Sequence, residues 1–150
     1  MRFFEDIPVG EPTELGRHTV TESEITEFAR QYDPLPFHTD PDDAVETIHG
    51  ELIASGYHTL CIANRIVVDE FRTDVAAVVG FGIDDLKWHA PVRPGDTLVV
   101  TAEITDKRPS ESRPGLGIVR NEITVTRDGE PVLTYVTDGM IEREGGGSLD

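Results

Sequence analysis

The densest group of reactive side chains in this chain lies at residues 32–40, Tyr-Asp-Pro-Leu-Pro-Phe-His-Thr-Asp. Asp33 supplies a carboxylate and His38 an imidazole five positions later, on a segment that two prolines stiffen. Such a pair can converge on one small molecule, such as water, and exchange protons with it. Tyr32 and Phe37 flank the pair, and we expect their rings to shield Asp33 from bulk water. The spacing also fits an Asp33 that caps a helix or turn and a His38 that lies on the surface.

A second candidate segment, residues 53–59, directly precedes a long apolar stretch with the spacing of a helix. Gly56 permits close approach of a ligand to the backbone, and free N–H groups at a helix N-terminus can stabilise a developing oxyanion. Alternatively, Ser55 is an ordinary N-cap and Gly56 serves only close packing of helix on sheet. His58 is near enough along the chain to line the same pocket, although packing or helix capping is the favoured role for it.

The remaining candidate ligands do not indicate a metal site. His18 and His49 are predicted to face solvent, and His89, next to Trp88, is predicted to lie in the core or an interface. No pair of His, Asp or Glu residues occurs at the close helical spacing of known ligand motifs. The sequence therefore predicts neither a metal nor a separate cofactor.

Helices are predicted in the first half of the chain. Thr21 and Glu24 fit a capping box, and the apolar residues that follow predict a helix over about 22–32. Two prolines then end it, because the residue before a proline is pushed away from helical dihedral angles. A short helix is predicted at about 41–48, and a long central helix, buried on more than one side, within 53–71.

Strands are predicted in the second half, after an irregular N-terminal stretch that reaches about Gly16 and one short strand at 18–20. Alternating apolar residues and turn signals separate the later strands. Helices followed by antiparallel strands indicate one α+β domain over residues 1–150, with a long helix packed on a curved sheet. Residues 144–150 are predicted to form a disordered tail. The predicted later strands are 76–82, 86–90, 97–104, 116–127 and 131–141.

The charge of the chain excludes several classes of function. Asp and Glu number 29 against 13 Lys and Arg, so the net charge is −16 and repels nucleic acids and anionic membranes. No apolar run approaches the about 20 residues of a spanning helix. The N-terminus is acidic where a signal peptide would carry positive charge, which predicts a cytoplasmic protein.

The acidic residues are distributed along the whole chain, and only Lys87 and Lys107 are lysine. We interpret this as adaptation to molar salt, in which repulsion between carboxylates is screened and a charged surface stays soluble. The alternative is an acidic protein that functions at ordinary salt. The one cysteine, Cys61, cannot form an internal disulfide and is predicted to pack in the core of the central helix.

The two candidate segments together resemble the MaoC-like dehydratases, a family that includes the (R)-specific enoyl-CoA hydratases and adopts the hot-dog fold. The resemblance runs through almost the whole chain, from residues 3–6 to residues 88–98. Gly56 falls where the family has its oxyanion-hole glycine. The positions that match the family's hydratase signature are Asp33, Pro36, His38 and Asp40.

The resemblance implies a fold, a reaction and an assembly. The fold is a long central helix wrapped by a curved antiparallel sheet, and the substrate is an acyl-CoA thioester that needs no other cofactor. Asp33 and His38 would activate the water that adds to a 2-enoyl-CoA, while the Gly56 amide polarises the thioester carbonyl. The resemblance also implies a homodimer or a dimer of dimers, with sites near the subunit interface. Candidate cations for the CoA phosphates are Arg65, Arg72, Lys87 and Arg93.

Three positions depart from the family pattern and leave the acyl chain open. Tyr32 replaces a common glycine, and Leu35 replaces the asparagine before the second proline. Asn64 stands where related hydratases have a serine near the catalytic aspartate, and we expect it to donate a hydrogen bond to Asp33.

Two other functions fit a hot-dog domain, because a fold does not determine an activity. An acyl-CoA thioesterase would need a carboxylate on the central helix, where Asp69 and Glu70 lie toward the far end. A non-catalytic acyl-CoA-binding subunit would keep the pocket without using the Asp33 and His38 pair. The direction of the reaction and its pathway are not indicated by the sequence.

Overall fold

The computed structural model describes residues 1–146. It contains a five-stranded sheet and four α-helices, preceded by a short 3₁₀ turn at Phe4–Asp6. The helices come early in the chain and the long strands late, as predicted. In chain order the elements are β1 (Thr13–Thr19), α1 (Glu22–Tyr32), α2 (Pro36–Thr39), α3 (Pro41–Val45), α4 (Gly56–Val67), β2 (Ala77–Trp88), β3 (Thr97–Pro109), β4 (Leu116–Arg127) and β5 (Glu130–Glu142).

All neighbouring strands are antiparallel, in the order β1-β3-β4-β5-β2, and α4 packs against the sheet. A π-helical turn, Val68–Arg72, extends the far end of α4. This arrangement confirms the predicted α+β class and the hot-dog fold. Each edge strand pairs with a strand that is not its neighbour in the sequence. Strand β1 pairs with β3, and β2 pairs with β5.

The main core lies between α4 and the sheet. Ala63 and Val67 from α4 are buried against alternate residues of the central strands, which present every second side chain to the helix. A smaller core joins the N-terminal turn to the far end of the sheet. The strand residues of the main core are Leu98, Val100, Ala102, Ile123, Val125, Val132, Leu133 and Tyr135.

Helix α1 follows the predicted bounds. The Thr21 hydroxyl accepts a hydrogen bond from the Glu24 N–H at 3.2 Å, and a Glu24 carboxylate oxygen accepts one from the Thr21 N–H at 2.7 Å. This reciprocal pair is the predicted capping box. The helix ends at Tyr32, and Asp33 occupies the C-cap.

Five predictions of element bounds were wrong. Helix α3 ends at Val45 instead of about residue 48, and β3 continues to Pro109 instead of ending at 104. The first strand begins at Thr13, because Thr13 pairs with Ala102 of β3 in a stretch that was predicted to be irregular. Residues 36–39, predicted as a loop, form a helical turn that begins at a proline, a residue that suits the first helical position. The predicted strands 76–82 and 86–90 are one strand, in which an irregularity of pairing includes Asp85 at φ 52°.

The central helix corrects two further predictions. Only one face of α4 is buried within the chain, because the sheet covers the helix from one side. Cys61 lies on the opposite face and is exposed, so it is not a core residue. The helix begins at Gly56, and Ser55 is its N-cap, one of the two roles offered by the sequence.

The predicted disordered tail is described only in part. Glu144 to Gly146 form a turn, in which the Glu144 N–H donates to a Glu5 carboxylate oxygen at 3.0 Å and the Gly146 N–H donates to the Arg143 carbonyl at 2.8 Å. The disordered tail over residues 144–150 stays a prediction. Residues 147–150 lie outside the described part of the chain.

Candidate active site

Asp33 is held at the end of α1. Its N–H donates to the Ala29 carbonyl at 2.8 Å, and its own carbonyl accepts from the Leu35 N–H at 2.8 Å. The helix cannot continue, because Pro34 disfavours helical dihedral angles at the residue before it. The carboxylate is thus presented from a fixed backbone position and is partly exposed.

His38 is buried, with 6% of its surface exposed, and its two ring nitrogens face different groups. Nδ1 lies 2.7 Å from the carbonyl oxygen of Ile53. A carbonyl only accepts, so Nδ1 carries the hydrogen and the neutral ring keeps a lone pair at Nε2. Nε2 lies 3.5 Å from Oδ2 of Asp33. The structure therefore brings the predicted carboxylate and imidazole together.

Backbone hydrogen bonds join three separate segments around this pair. The Ile53 N–H donates to the Phe37 carbonyl at 3.0 Å, which fixes the turn of His38 against residues 53–55. The Ala54 N–H donates to the Val92 carbonyl at 2.8 Å, which fixes the same stretch against the segment after β2. The geometry of the pair consequently depends on contacts between segments that are distant in sequence.

Ser55 supports Asp33 and also caps α4. Its hydroxyl donates to Oδ2 of Asp33 at 2.8 Å and accepts from the Tyr57 N–H at 3.2 Å. The side chain is fully buried, so this hydroxyl has no competing contact with bulk water. Ser55 is therefore the N-cap that the sequence offered and, in addition, a donor to Asp33.

Gly56 is the first residue of α4, and its N–H has no acceptor within the helix. The Ser55 cap accepts from the next N–H, that of Tyr57, and Gly56 itself is only half-buried. Glycine is required here, because a Cβ would lie 2.5 Å from the indole of Trp88. This contact is the close packing of helix on sheet that the sequence left as the alternative role of Gly56. The role of its N–H as an oxyanion donor stays a prediction.

These groups line one cleft of about 390 Å³. Asp33 and His38 lie in it together with Gly56, and apolar side chains form much of the remaining wall. An open cleft with a few converging polar groups is the usual form of a small-molecule site. The apolar residues in the wall are Ile53, Ala54, Trp88, Ala90, Pro91 and Val92.

The arrangement suits the activation of one water molecule. The Asp33 carboxylate and the Nε2 lone pair of His38 are both acceptors, and a separation of 3.5 Å is longer than a good direct hydrogen bond. A water molecule has two O–H donors and can offer one to each acceptor. A backbone N–H without a helical partner, such as that of Gly56, can stabilise negative charge that develops on a bound carbonyl.

Asn64 does not support Asp33, so that prediction was wrong. Asn64 lies eight residues after Gly56, two helical turns or about 12 Å along the helix axis. Its Oδ1 instead accepts from Nη1 of Arg72 at 3.0 Å. The hydrogen bond that was expected from Asn64 is supplied by Ser55.

The predicted flanking rings do not cover Asp33. Tyr32 is 71% exposed, and its ring packs on Phe28 at 5.2 Å. Phe37 packs edge-on against the ring of His38 at 4.5 Å, so it shields the imidazole instead of the carboxylate.

His58 lies outside the cleft and has the packing role that was favoured for it. Its ring is 6% exposed and stacks on Phe28 at 4.9 Å, between α1 and α4. Burial lowers the pKa of His58, because the charged imidazolium loses its hydration there. Nδ1 of this ring has no hydrogen-bond partner among the described residues.

One wall of the cleft, at the end of β2, was not predicted from the sequence. Trp88 and His89 both line the cleft, and His89 is exposed, with Nε2 2.7 Å from Oγ1 of Thr134. The prediction that His89 lies in the core or an interface is not met within this chain. The signal was present, since residues 88–98 carry part of the family resemblance, but no chemistry had been assigned to them.

Residues 1–146 contain neither a membrane-spanning helix nor a cluster of metal ligands. No helix in that range combines the length and apolar character needed to span a bilayer. No group of three or more His, Cys, Asp or Glu side chains within it is arranged to hold a metal ion. The absence of a metal and of a cofactor stays a prediction.

Comparison with known proteins places the chain in a family. The MaoC like domain matches residues 5–127. An (R)-specific enoyl-CoA hydratase of Rhodospirillum rubrum is 31% identical over 146 residues, which are 97% of this chain and 95% of the relative. Protein MaoC of Klebsiella aerogenes is 35% identical over 108 residues, which are 71% of this chain but only 31% of that longer protein.

Solved structures agree with this assignment. The crystal structure of a MaoC-like dehydratase from Rhodospirillum rubrum superposes with a TM-score of 0.86 at 35% identity, and the match covers 95% of this chain and 97% of that one. The agreement confirms the hot-dog fold over nearly the whole chain. With the domain match and the full-length relative, it shows that this chain belongs to the family of MaoC-like domains.

Proposed function

We propose that this protein adds water to a 2-enoyl-CoA to give a 3-hydroxyacyl-CoA, and catalyses the reverse dehydration. The observation that carries the proposal is the cleft in which Asp33 Oδ2 and His38 Nε2 are 3.5 Å apart and the Gly56 N–H is free of helical partners. The Rhodospirillum rubrum relative, which matches along its whole length, is named as an enzyme of this class.

The reaction requires one proton to leave water and one to reach the substrate. Asp33 and His38 hold the water and remove one of its protons, while the remaining hydroxide forms a bond to the β carbon. The π electrons of the enoyl group move toward the thioester oxygen, and the Gly56 N–H stabilises the enolate-like charge there. The protonated pair then delivers a proton to the α carbon from the same face. One oxyanion donor typically contributes about 3–4 kcal/mol to lowering such a barrier.

The position of the candidate thioesterase carboxylates favours hydration. Asp69 lies thirteen residues after Gly56, about 20 Å along the helix axis, and forms an ion pair with Arg65 at 2.8 Å. Glu70 follows it on the same π-helical turn. Neither carboxylate lines the cleft that holds Gly56.

The charged residues near the cleft suggest where the CoA phosphates bind. Arg65 and Arg93 have carboxylate partners, Asp69 and Glu51. Lys87 directly precedes Trp88 of the cleft wall and makes no ion pair with any residue from 1 to 146. Arg72 likewise makes no ion pair within residues 1–146, but it donates to Asn64 and does not line the cleft. We therefore favour Lys87 among the four candidate cations.

The test of the proposed function uses the wild-type protein with crotonyl-CoA in molar KCl. We expect loss of the enoyl absorbance without release of free thiol. With 3-hydroxybutyryl-CoA as the substrate, the reverse dehydration should instead produce a gain of the enoyl absorbance. Release of thiol would indicate the thioesterase instead. Binding of crotonyl-CoA without either change would indicate the acyl-CoA-binding subunit.

We infer that the active form is a homodimer paired through β2. This strand lies at one edge of the sheet, and an uncovered edge invites pairing with another strand. It exposes Val79, Phe81 and Ile83, each by about half of its surface. The opposite edge, β1, has the polar sequence Thr-Glu-Leu-Gly-Arg-His-Thr, and exposes none of the large apolar side chains. Pairing of two β2 strands would cover the apolar edge and leave the polar one in water.

Sedimentation in molar KCl tests the pairing. We expect the wild type to sediment as a dimer or as a dimer of dimers. Phe81→Glu should shift it toward monomer, because the charge would be buried in the contact. Thr13→Glu on β1 is the matched edge control and should leave the assembly unchanged. A monomeric wild type, or dissociation caused only by the β1 variant, would contradict the inference.

A further inference from the structure

We propose that Trp88 is a positioning residue that fixes the Gly56 amide for its role as an oxyanion donor, an inference that rests on the proposed function. The two residues are 32 positions apart, and their contact joins the end of β2 to the start of α4. No sequence signal had assigned Trp88 a part in the chemistry.

Trp88 contacts Gly56 in two ways. Its indole Nε1–H donates to the Gly56 carbonyl oxygen at 2.9 Å. The ring also lies over the Gly56 Cα, since a Cβ built there would be 2.5 Å from both Cε2 and Nε1 of the indole. One contact fixes the direction of the carbonyl, and the other limits movement of the backbone toward the cleft.

Ser55 restrains the other side of the Gly56–Tyr57 peptide. The indole binds the carbonyl oxygen of this peptide, and the Ser55 hydroxyl binds its N–H. This hydroxyl joins the chain to Asp33 and to the Tyr57 N–H, so Gly56 lies between a polar restraint and an aromatic one. The Gly56 N–H belongs to the preceding peptide, whose Ser55 carbonyl accepts from the His58 N–H at 3.0 Å and from the Thr59 N–H at 3.2 Å. Glycine has no side chain to restrict the dihedral angles that join this peptide to the next one. The indole supplies the restraint that a glycine lacks.

An irregularity in β2 directs the Trp88 side chain toward Gly56. Pairing with β5 is irregular between Asp84 and Lys87, and Asp85 within this interval has φ 52°, a left-handed conformation that is uncommon outside glycine. A bulge in a strand redirects the side chains that follow it. Normal pairing resumes at Lys87 and Trp88, and Trp88 opposes Leu133.

An oxyanion donor stabilises a transition state only when it points at the atom on which charge develops. Displacement of the Gly56 N–H should therefore lower kcat more than it raises KM, because the substrate binds through its whole length. A Trp88 that only forms a wall of the cleft would instead change KM. The split between the two constants separates positioning from packing.

The experiment measures crotonyl-CoA hydration by Trp88→Phe, Trp88→Ala, Gly56→Ala and the double variant Gly56→Ala/Trp88→Ala. Trp88→Phe keeps an aromatic ring but removes the N–H, and we expect kcat to fall about 5- to 20-fold with KM changed less than 2-fold. Tyr32→Phe is the aromatic control away from the cleft and should keep wild-type constants.

The double variant tests the contact with Cα. In Gly56→Ala the new methyl group should displace the indole, so we expect kcat to fall more than 100-fold. In the Trp88→Ala background the same methyl group has room, and the further loss should be less than 10-fold. Such strong non-additivity indicates direct coupling between the two residues.

Fluorescence gives a separate measure of binding. Trp88 is the only tryptophan of the chain, so its emission reports on the cleft without labelling. Butyryl-CoA is saturated and cannot be hydrated. We expect it to change the wild-type emission with an affinity close to the KM for crotonyl-CoA.

The outcomes separate this inference from the proposed function. An active wild type with an unchanged kcat in Trp88→Phe, or with additive effects of the two alanine substitutions, would overturn the positioning role alone. An inactive wild type whose emission still responds to butyryl-CoA would reject hydration of this acyl group and, with it, the role of Trp88 in that reaction.

Discussion

Two histidines of this protein are equally buried and have opposite surroundings. His38 and His58 each expose 6% of their surface and each contact a phenylalanine ring. His38 directs Nδ1 to a backbone carbonyl and Nε2 toward Asp33. His58 has an unpartnered Nδ1 and faces no group of the cleft.

The difference shows that burial by itself does not identify a functional imidazole. A buried histidine can act as a proton carrier only if one nitrogen is fixed by a donor or acceptor and the other faces a reactant. The region around His38 meets this condition through contacts from residues 37 and 53. The region around His58 is a packed contact between α1 and α4, in which the imidazole stacks on the ring of Phe28.

The largest expected difference is in catalysis. Replacing His38 by Gln removes the Nε2 lone pair, and we expect kcat for crotonyl-CoA to fall about 10²- to 10⁴-fold. Asp33→Asn should have an effect of the same size. His58→Gln is the matched control, because it makes the same chemical change at the same burial and should lower kcat less than 3-fold. A loss in His58→Gln as large as in His38→Gln would remove the distinction between the two regions.

A smaller effect is expected at the residue that joins the first region to the central helix. Ser55→Ala removes the hydrogen bond to Asp33 and the cap of α4. Loss of an N-cap typically costs about 1 kcal/mol of unfolding free energy, and we expect kcat to fall about 10-fold because Asp33 loses its support. Urea unfolding and crotonyl-CoA kinetics measure the two effects. Ser55→Thr keeps a hydroxyl and should restore part of both.

The comparison also shows which features could be predicted from the sequence. Asp33, His38 and Gly56 were predicted as site residues because local chain chemistry and a family motif mark them, and the structure places all three in one cleft. Helix α1 was predicted to within a residue, since its capping box and apolar spacing are local signals. Strands in the second half were found from alternation, although the bulge at Asp85 divided one of them into two predictions.

The errors have a common physical cause, which is that they depend on tertiary contacts. Ser55 replaces Asn64 as the donor to Asp33 only because α4 begins where it does and carries Asn64 about 12 Å away. Cys61 is exposed because the sheet covers only one face of α4. The proposed positioning role of Trp88 depends on its contact with Gly56, 32 residues earlier, which no local sequence pattern indicates.

A third prediction concerns the dependence of stability on pH. The pKa of His58 is lowered by burial, so the unfolded chain binds a proton at a higher pH than the folded chain does. The contribution of the neutral ring is complete above the ordinary histidine pKa of about 6.5 and is lost as the pH falls from there through the lowered folded value. The free energy of unfolding should therefore decrease on acidification in this range.

His58→Phe should remove this part of the pH dependence while it keeps the ring stacked on Phe28. We expect the stability of the variant relative to wild type to increase from pH 7.5 to pH 5.5, as measured by urea unfolding. His49→Gln changes an exposed histidine and should retain the wild-type slope. An equal slope in wild type and His58→Phe would show that His58 titrates normally in the folded protein.

The smallest difference between the two regions is expected in their response to salt. The net charge is −16, and the carboxylates are distributed along the whole chain. KCl screens the repulsion between them, because the Debye length falls from about 10 Å at 0.1 M to about 3 Å at 1 M. We expect the Tm of the wild type to rise steeply between these concentrations. His38→Gln and His58→Phe should show the same rise, because both positions are buried and neither substitution changes the charged surface. A wild-type Tm that does not change with KCl would contradict adaptation to salt, and a different rise in one variant would show that salt acts on that region directly.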